Sequence, residues 1–73
     1  MTFLVGKCLL LNQLDKNKMT QTELAIELGV TKQQINKYVR NVQVMSYEVA
    51  YNISIILNCE MSELYEWNEA GRH

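Results

Sequence analysis

Apolar positions recur at helical spacing through most of this chain, and the breaks between runs carry residues that start and stop helices. Leu4, Cys8 and Leu11, with Leu10 and Leu14, step by three and four and predict a first helix over about residues 3–17. Lys16 and Lys18 place cations where the helix dipole favours them, and Asn17 suits a left-handed cap. Thr20 followed three residues later by Glu23 is a capping box, with Met19 before it as the outer half of a hydrophobic staple. The second helix then carries Leu24, Ala25 and Leu28 and ends at Gly29, because glycine tolerates the left-handed conformation. Thr31 caps a third helix with Ile35, Tyr38 and Val39 on one side, and Asn41 is its left-handed stop. Residues 42–45 alternate but are too short and isolated to make a sheet, so they read as a loop. Ser46 caps a fourth helix, with Glu48 in its first turn and Val49, Ala50, Ile53, Ile56 and Leu57 inward. Residues 58–60 break the pattern, 61–67 predict a fifth short helix, and 68–73 read as a frayed end. The expectation is an all-α chain of five helices forming one domain over 1–73.

Two helices meeting at a steep angle through a glycine turn form a helix-turn-helix, whose second helix enters the DNA major groove. Here Val30 plugs the angle between them. The run TQTELAIELGVT, followed by QQINKY and RN, resembles the Cro and phage-repressor (XRE) family, in which Thr/Ser-Gln-x-x-Leu-Ala-x-x-Leu-Gly-Val-Ser/Thr precedes a polar stretch around an Ile. The resemblance covers about residues 8–67 and is most specific over 20–41. It implies a compact five-helix, lambda-repressor-like DNA-binding domain. It also implies a sequence-specific transcriptional regulator of double-stranded DNA: a small phage- or prophage-type repressor or Cro-like protein, acting as a dimer on a palindromic operator. Such a protein works in the cytoplasm of a bacterial or phage-infected cell, on the nucleoid.

Helical geometry puts residues 33, 36, 37 and 40 on the face opposite Ile35 and Tyr38, with Gln34 toward the side. Glutamine can bond adenine N6 and N7 in pairs, and lysine can bond guanine O6 and N7. Lys32, Gln33 and Lys37 match the family's base-reading positions, and Asn36 shares their face, so these four are the expected base readers. Gln21 matches the family's phosphate-binding glutamine at the start of helix two. Thr31, Gln34, Arg40, Asn41 and Gln43 are expected on the DNA backbone. A subunit contact is expected on helix five at Leu64, Tyr65 and Trp67, together with N-terminal apolar residues. The family's Arg late in helix one pairs with a Glu near the end of the recognition helix. Here those positions are Leu14 and Val39, or Asp15 and Val39 with a one-residue gap, so the ion pair is replaced.

Charge sharpens this division. The net charge is −1, but residues 1–45 carry six Lys or Arg against three acids, a balance of +3, while residues 46–73 carry Arg72 against five acids, a balance of −4. Affinity for a polyanion follows the local cationic footprint, and charges beyond about 8 Å are largely screened at physiological salt. One half therefore suits DNA and the other faces away, while the overall acidity predicts modest non-specific affinity.

Other chemistry is sparse. Cys8 and Cys59 have no CxxC spacing and the only His is terminal, so neither metal, cofactor nor disulfide is expected. The N-terminal apolar run is too short to span a bilayer. Nothing suggests a small-molecule ligand, and no nucleophile-base pair or paired carboxylates suggest an enzyme. The rival reading is a helix-turn-helix protein-interaction module, docking a partner through exposed Tyr and Leu.

Overall fold

The computed structural model describes residues 2–70. Strand β1, Thr2–Cys8, leads into helices α1, Leu10–Lys16, α2, Gln21–Leu28, α3, Lys32–Val39, and α4, Tyr47–Leu57. A single 3-10 turn, Met61–Leu64, then delivers the chain into strand β2, Tyr65–Ala70, which returns antiparallel to β1.

The two ends of the chain therefore differ from the helical expectation. The segment expected to open a helix at residue 3 is a strand as far as Cys8, and only Leu10 to Lys16 is helical. The expected fifth helix is one 3-10 turn, and Tyr65 and Trp67 lie in a strand. Residues 68–70 of the expected frayed end pair with β1, and residues 71–73 lie outside the described residues. The architecture is four helices with a small two-stranded sheet, not five helices. The physical reason is long-range. A short apolar run satisfies either helical or strand periodicity, and here the pairing partner some sixty positions away decides.

The ribbon pairs Thr2 with Ala70, Phe3 with Glu69, Leu4 with Asn68 and Val5 with Trp67, and resumes at Cys8 with Tyr65 after a bulge. Gly6 sits in that bulge, where a Cβ would stand 2.6 Å from Asn68 Nδ2 and 3.1 Å from the Glu66 carbonyl oxygen. A residue with a side chain would push the strands apart.

All four helices stop in the same way. Met19, Val30, Val42 and Cys59 donate to the carbonyls of Leu14, Ala25, Lys37 and Ser54, and the residue before each donates one turn back, to Asp15, Ile26, Tyr38 and Ile55. This double closure needs a left-handed residue at the first of the two donors. Gly29 fills it after α2 at φ 80°, and Asn41, Asn58 and Lys18 fill it elsewhere at φ 61°, 52° and 54°. The left-handed residue after α1 is thus Lys18, not Asn17. Asn17 instead donates from Nδ2 to the carbonyl oxygens of Gln13, 2.8 Å away, and Leu57, 3.0 Å away, tying α1 to the end of α4.

The core joins every element: Leu10 and Leu14 of α1, Leu24 and Ala25 of α2, Ile35 and Tyr38 of α3, Ile53 and Leu57 of α4, with Cys8, Met45, Leu64 and Tyr65. Leu14 is buried and Val39 packs against this cluster, so hydrocarbon occupies the two positions where the family pattern has an ion pair. That exchange is compatible with stability, because desolvating two charges can cost as much as their attraction returns.

Candidate nucleic-acid interface

The positions of α2 and α3 are set by the caps that begin them. At the start of α2, the Thr20 hydroxyl accepts from the Glu23 N–H at 3.1 Å while Glu23 accepts from the Thr20 N–H at 2.9 Å. Two donors that the helix leaves without partners are thereby satisfied, and the first helix of the motif begins at a defined residue. Gly29 turns the chain, and the Thr31 hydroxyl accepts from the Gln34 N–H at 3.1 Å, starting α3 one residue later. Ile35 and Tyr38 anchor α3 in the core.

With that face buried, the opposite one is presented outward. Lys32, Gln33, Asn36, Lys37 and Arg40 surround one open furrow on the surface. The four expected base readers are therefore together, with Arg40 beside them; Asn36 is half-buried and the other four are exposed. No acidic residue interrupts the stretch from Thr31 to Asn41, so three cations act on the furrow without local neutralisation. Such a face attracts an anionic backbone, and its amides and ammonium groups supply donors matched to base edges.

The expected backbone contacts are more dispersed. Gln34 donates from Nε2 to Gln43 Oε1 at 3.0 Å, which couples α3 to the loop that follows it. Gln21 opens α2 half-buried, and its Oε1 is enclosed with no hydrogen-bond partner. The Thr31 hydroxyl is occupied as a cap. Asn41 Oδ1 accepts from the Cys8 N–H at 2.9 Å, leaving only its Nδ2 to donate outward.

The residues expected at a subunit contact separate. Leu64 is 0% and Tyr65 7% exposed, both in this chain's own core, while Trp67 is 49% exposed. A 3-10 turn closing under α1 and α4 leaves Leu64 no surface to share, and the Tyr65 hydroxyl accepts from the Met45 N–H at 3.0 Å. Burial raises the Tyr65 phenol above its ordinary range. Burial likewise raises the Cys8 thiol, and at Cys59 it adds to repulsion from Glu63 and Glu60. Both thiols are thereby held toward the protonated form. Among the described residues no three His, Cys, Asp or Glu come together as a metal site, and no helix is long and apolar enough to cross a membrane.

Two contacts with functional bearing had no local signature: the Asn41–Cys8 bond and the Tyr65–Met45 bond. Both join an interior loop to the terminal ribbon, so neither belongs to a pattern of fixed spacing. The alternation of Tyr65 and Trp67, and the lone Gly6 in an apolar run, were the signals available for the ribbon.

A buried-anchor helix carrying an acid-free polar face, set by a capped helix and a glycine turn, defines a helix-turn-helix DNA-binding protein. Comparison with known proteins agrees. The model of the Cro/C1-type HTH DNA-binding domain matches residues 10–70, and the chain belongs to that family of DNA-binding transcriptional regulators. It is 38% identical over 70 residues to the SPbeta prophage-derived uncharacterized HTH-type transcriptional regulator YopS of Bacillus subtilis (strain 168), covering 94% of this chain and 93% of that protein. Among solved structures, the crystal structure of the transcriptional regulator VanUg superposes with a TM-score of 0.71 at 26% identity, covering 93% of this chain and 89% of that one. The solution structure of the SOS-response transcriptional repressor LexA from Eubacterium rectale shares the fold, with a TM-score of 0.70 at 22% identity over 88% of this chain and 68% of that one.

Proposed function

We propose that the chain is a single-domain, sequence-specific regulator of phage or prophage type, which binds a palindromic operator in the cytoplasm as a homodimer. Lys32, Gln33, Asn36 and Lys37 read base edges, and Gln21, Thr31, Gln34, Arg40, Asn41 and Gln43 hold the phosphodiester backbone. The observation that carries the reading is the outward face of α3, where the four readers and Arg40 line one furrow with no acid among them.

The flanking groups fit the backbone role. Gln21 lies half-buried at the N-terminus of α2, where its amide Nε2 would donate to a phosphate beside the helix N–H groups. The Gln34–Gln43 bond holds the loop residue next to the reading helix. One domain covers a half-site, and a two-fold operator with half-sites about one helical turn apart matches two copies. The prophage origin of the YopS relative supports the phage assignment.

Selection of bound sequences from a random duplex pool tests this directly. A palindromic consensus is the expected result, and winners without symmetry remove the dimeric operator. The competing protein-docking reading draws on the exposed Tyr47, Tyr51 and Ile55 stripe of α4. Absence of any binding to duplex DNA at low salt favours that reading instead.

A further inference from the structure

The β1–β2 ribbon carries an apolar surface that the fold does not bury. Val5 lies opposite Trp67, and Phe3 follows on the same face two residues away. Val5 and Trp67 form one side of an apolar groove of about 350 Å³ whose other side is Val44, Tyr47, Ala50 and Met61. Phe3 is 55%, Val44 60% and Tyr47 82% exposed. Scaled from full aromatic side chains of about 150–250 Å², these residues with Val5 and Trp67 expose on the order of 600 Å². Contiguous apolar patches of that size mark contact sites, and a two-stranded ribbon alone is only marginally stable.

We propose that this groove and ribbon face are the homodimer interface, and that their occupant is the same surface of a second copy of this chain. The proposal deepens the dimeric-operator reading and rests on it. Area is the first reason: a specific interface removes about 800 Å² from each partner, close to what the patch and its rim provide. Charge is the second. No residue lining the groove is charged, so two grooves can face each other across a two-fold axis without like-charge repulsion, and the acid on the same ribbon face, Glu69 opposite Phe3, is half-buried. Shape is the third, because an isologous contact requires one patch to hold both halves of the fit. Phe3 stands on the ribbon beyond the groove as the inserting part, and the groove walled by Val5 and Trp67 is the receiving part. Val44 of the groove also follows the α3 stop Asn41 by three residues, so pairing there would tie the subunit contact to the end of α3.

Sedimentation of the full chain tests the proposal, alone and on duplexes holding one or two half-sites taken from the selected pool. The wild type is expected as two chains, about 17 kDa of protein from a chain mass of 8.5 kDa, either free or added to the mass of the two-half-site duplex. Val44→Lys and Tyr47→Glu should each raise the dimer dissociation constant about 30-fold or more while retaining helical circular dichroism. Ile55→Glu, at the exposed far end of α4, should leave it unchanged. A wild type that stays monomeric in both settings overturns the interface, as does a dimer dissociated by Ile55→Glu but not by Val44→Lys. Monomeric variants that still bind one half-site separate this interface from DNA reading. A wild-type dimer that binds no duplex removes the operator reading and leaves the interface standing.

Discussion

Asn41 Oδ1 accepts a hydrogen bond from the backbone N–H of Cys8, 33 positions earlier, at 2.9 Å. The same residue closes α3 in the left-handed conformation at φ 61°. One side chain thus joins the end of α3 to the strand that begins the ribbon. Asparagine is suited to both tasks, since it visits the left-handed region at low cost and carries an acceptor. The two roles can be separated. Asn41→Gly keeps the backbone and loses the acceptor, with an expected loss of about 1 kcal/mol of stability, the Gly preference offsetting part of the orphaned N–H. Asn41→Ala loses both and should cost about 2–4 kcal/mol. Urea denaturation followed by circular dichroism ranks them, and equal costs would show that only the lost acceptor matters.

Lys18 is in the same left-handed conformation without a feature that favours it. Its side chain is exposed, and its N–H donates to Asp15 in the closure of α1. Lys18→Gly should therefore stabilise the chain by about 0.5–1 kcal/mol through relief of backbone strain, with the flexibility of Gly in the unfolded chain limiting the gain. A rise in thermal midpoint checks this, and a fall would mean that the lysine makes an unrecognised favourable contact.

These residues also show how far the sequence is legible. The middle of the chain could be read because its signals are local: Thr20 with Glu23, Gly29, Thr31 and Asn41 each act within a few residues, and each does in the structure what its chemistry predicts. The face of α3 was equally readable, because burying Ile35 and Tyr38 leaves only one way for Gln33 and Lys37 to point. The ribbon was not. Phe3, Leu4 and Val5 fit a helix as well as a strand until Trp67, Asn68 and Glu69 lie beside them, and that proximity is a property of the folded chain. Lys18 was passed over for a related reason: lysine carries no preference for the conformation that tertiary closure imposes. Tyr65 was expected at a subunit contact on a fifth helix, whereas the strand turns its hydroxyl toward Met45.

The Tyr65 bond is itself testable. Tyr65→Phe removes the acceptor of the Met45 N–H with little change in volume, so about 1–3 kcal/mol should be lost by leaving a buried donor unpaired. Met45 precedes α4, and its amide should show faster hydrogen exchange in the variant. Unchanged exchange there would mean that water replaces the phenol.

Alkaline pH should weaken the fold through the same neighbourhood. Burial raises the Cys8 thiol above its ordinary 9.0 and the Tyr65 phenol above its ordinary 10.0. Both groups are neutral in the folded state and lose their protons first in the unfolded chain. As pH rises past about 8 the unfolded state binds fewer protons than the native one, so stability falls; below that pH the contribution is fully present. Urea midpoints at pH 7, 9 and 10 should decline in that order, and Tyr65→Phe should flatten the upper part of the decline. A midpoint that rises between pH 7 and 10 would contradict the assignment.

Base reading and backbone holding differ in their dependence on salt, which separates Lys37 from Arg40. Both are exposed cations on the α3 furrow, and both add to affinity by displacing counterions. Removing a cation that only meets a phosphate weakens every duplex alike and reduces the slope of log K against log salt by about 0.9. Removing one that bonds a guanine edge also narrows the gap between preferred and scrambled sequences, by about 1–3 kcal/mol. Arg40→Ala should give the first pattern and Lys37→Ala the second, measured by fluorescence anisotropy over a salt series on selected and scrambled duplexes. If Lys37→Ala left discrimination intact, sequence reading would have to rest with Gln33 and its neighbours on the furrow. Gln33→Ala then becomes decisive, because an uncharged side chain contributes no counterion term and any loss it causes must lie in recognition of the bases.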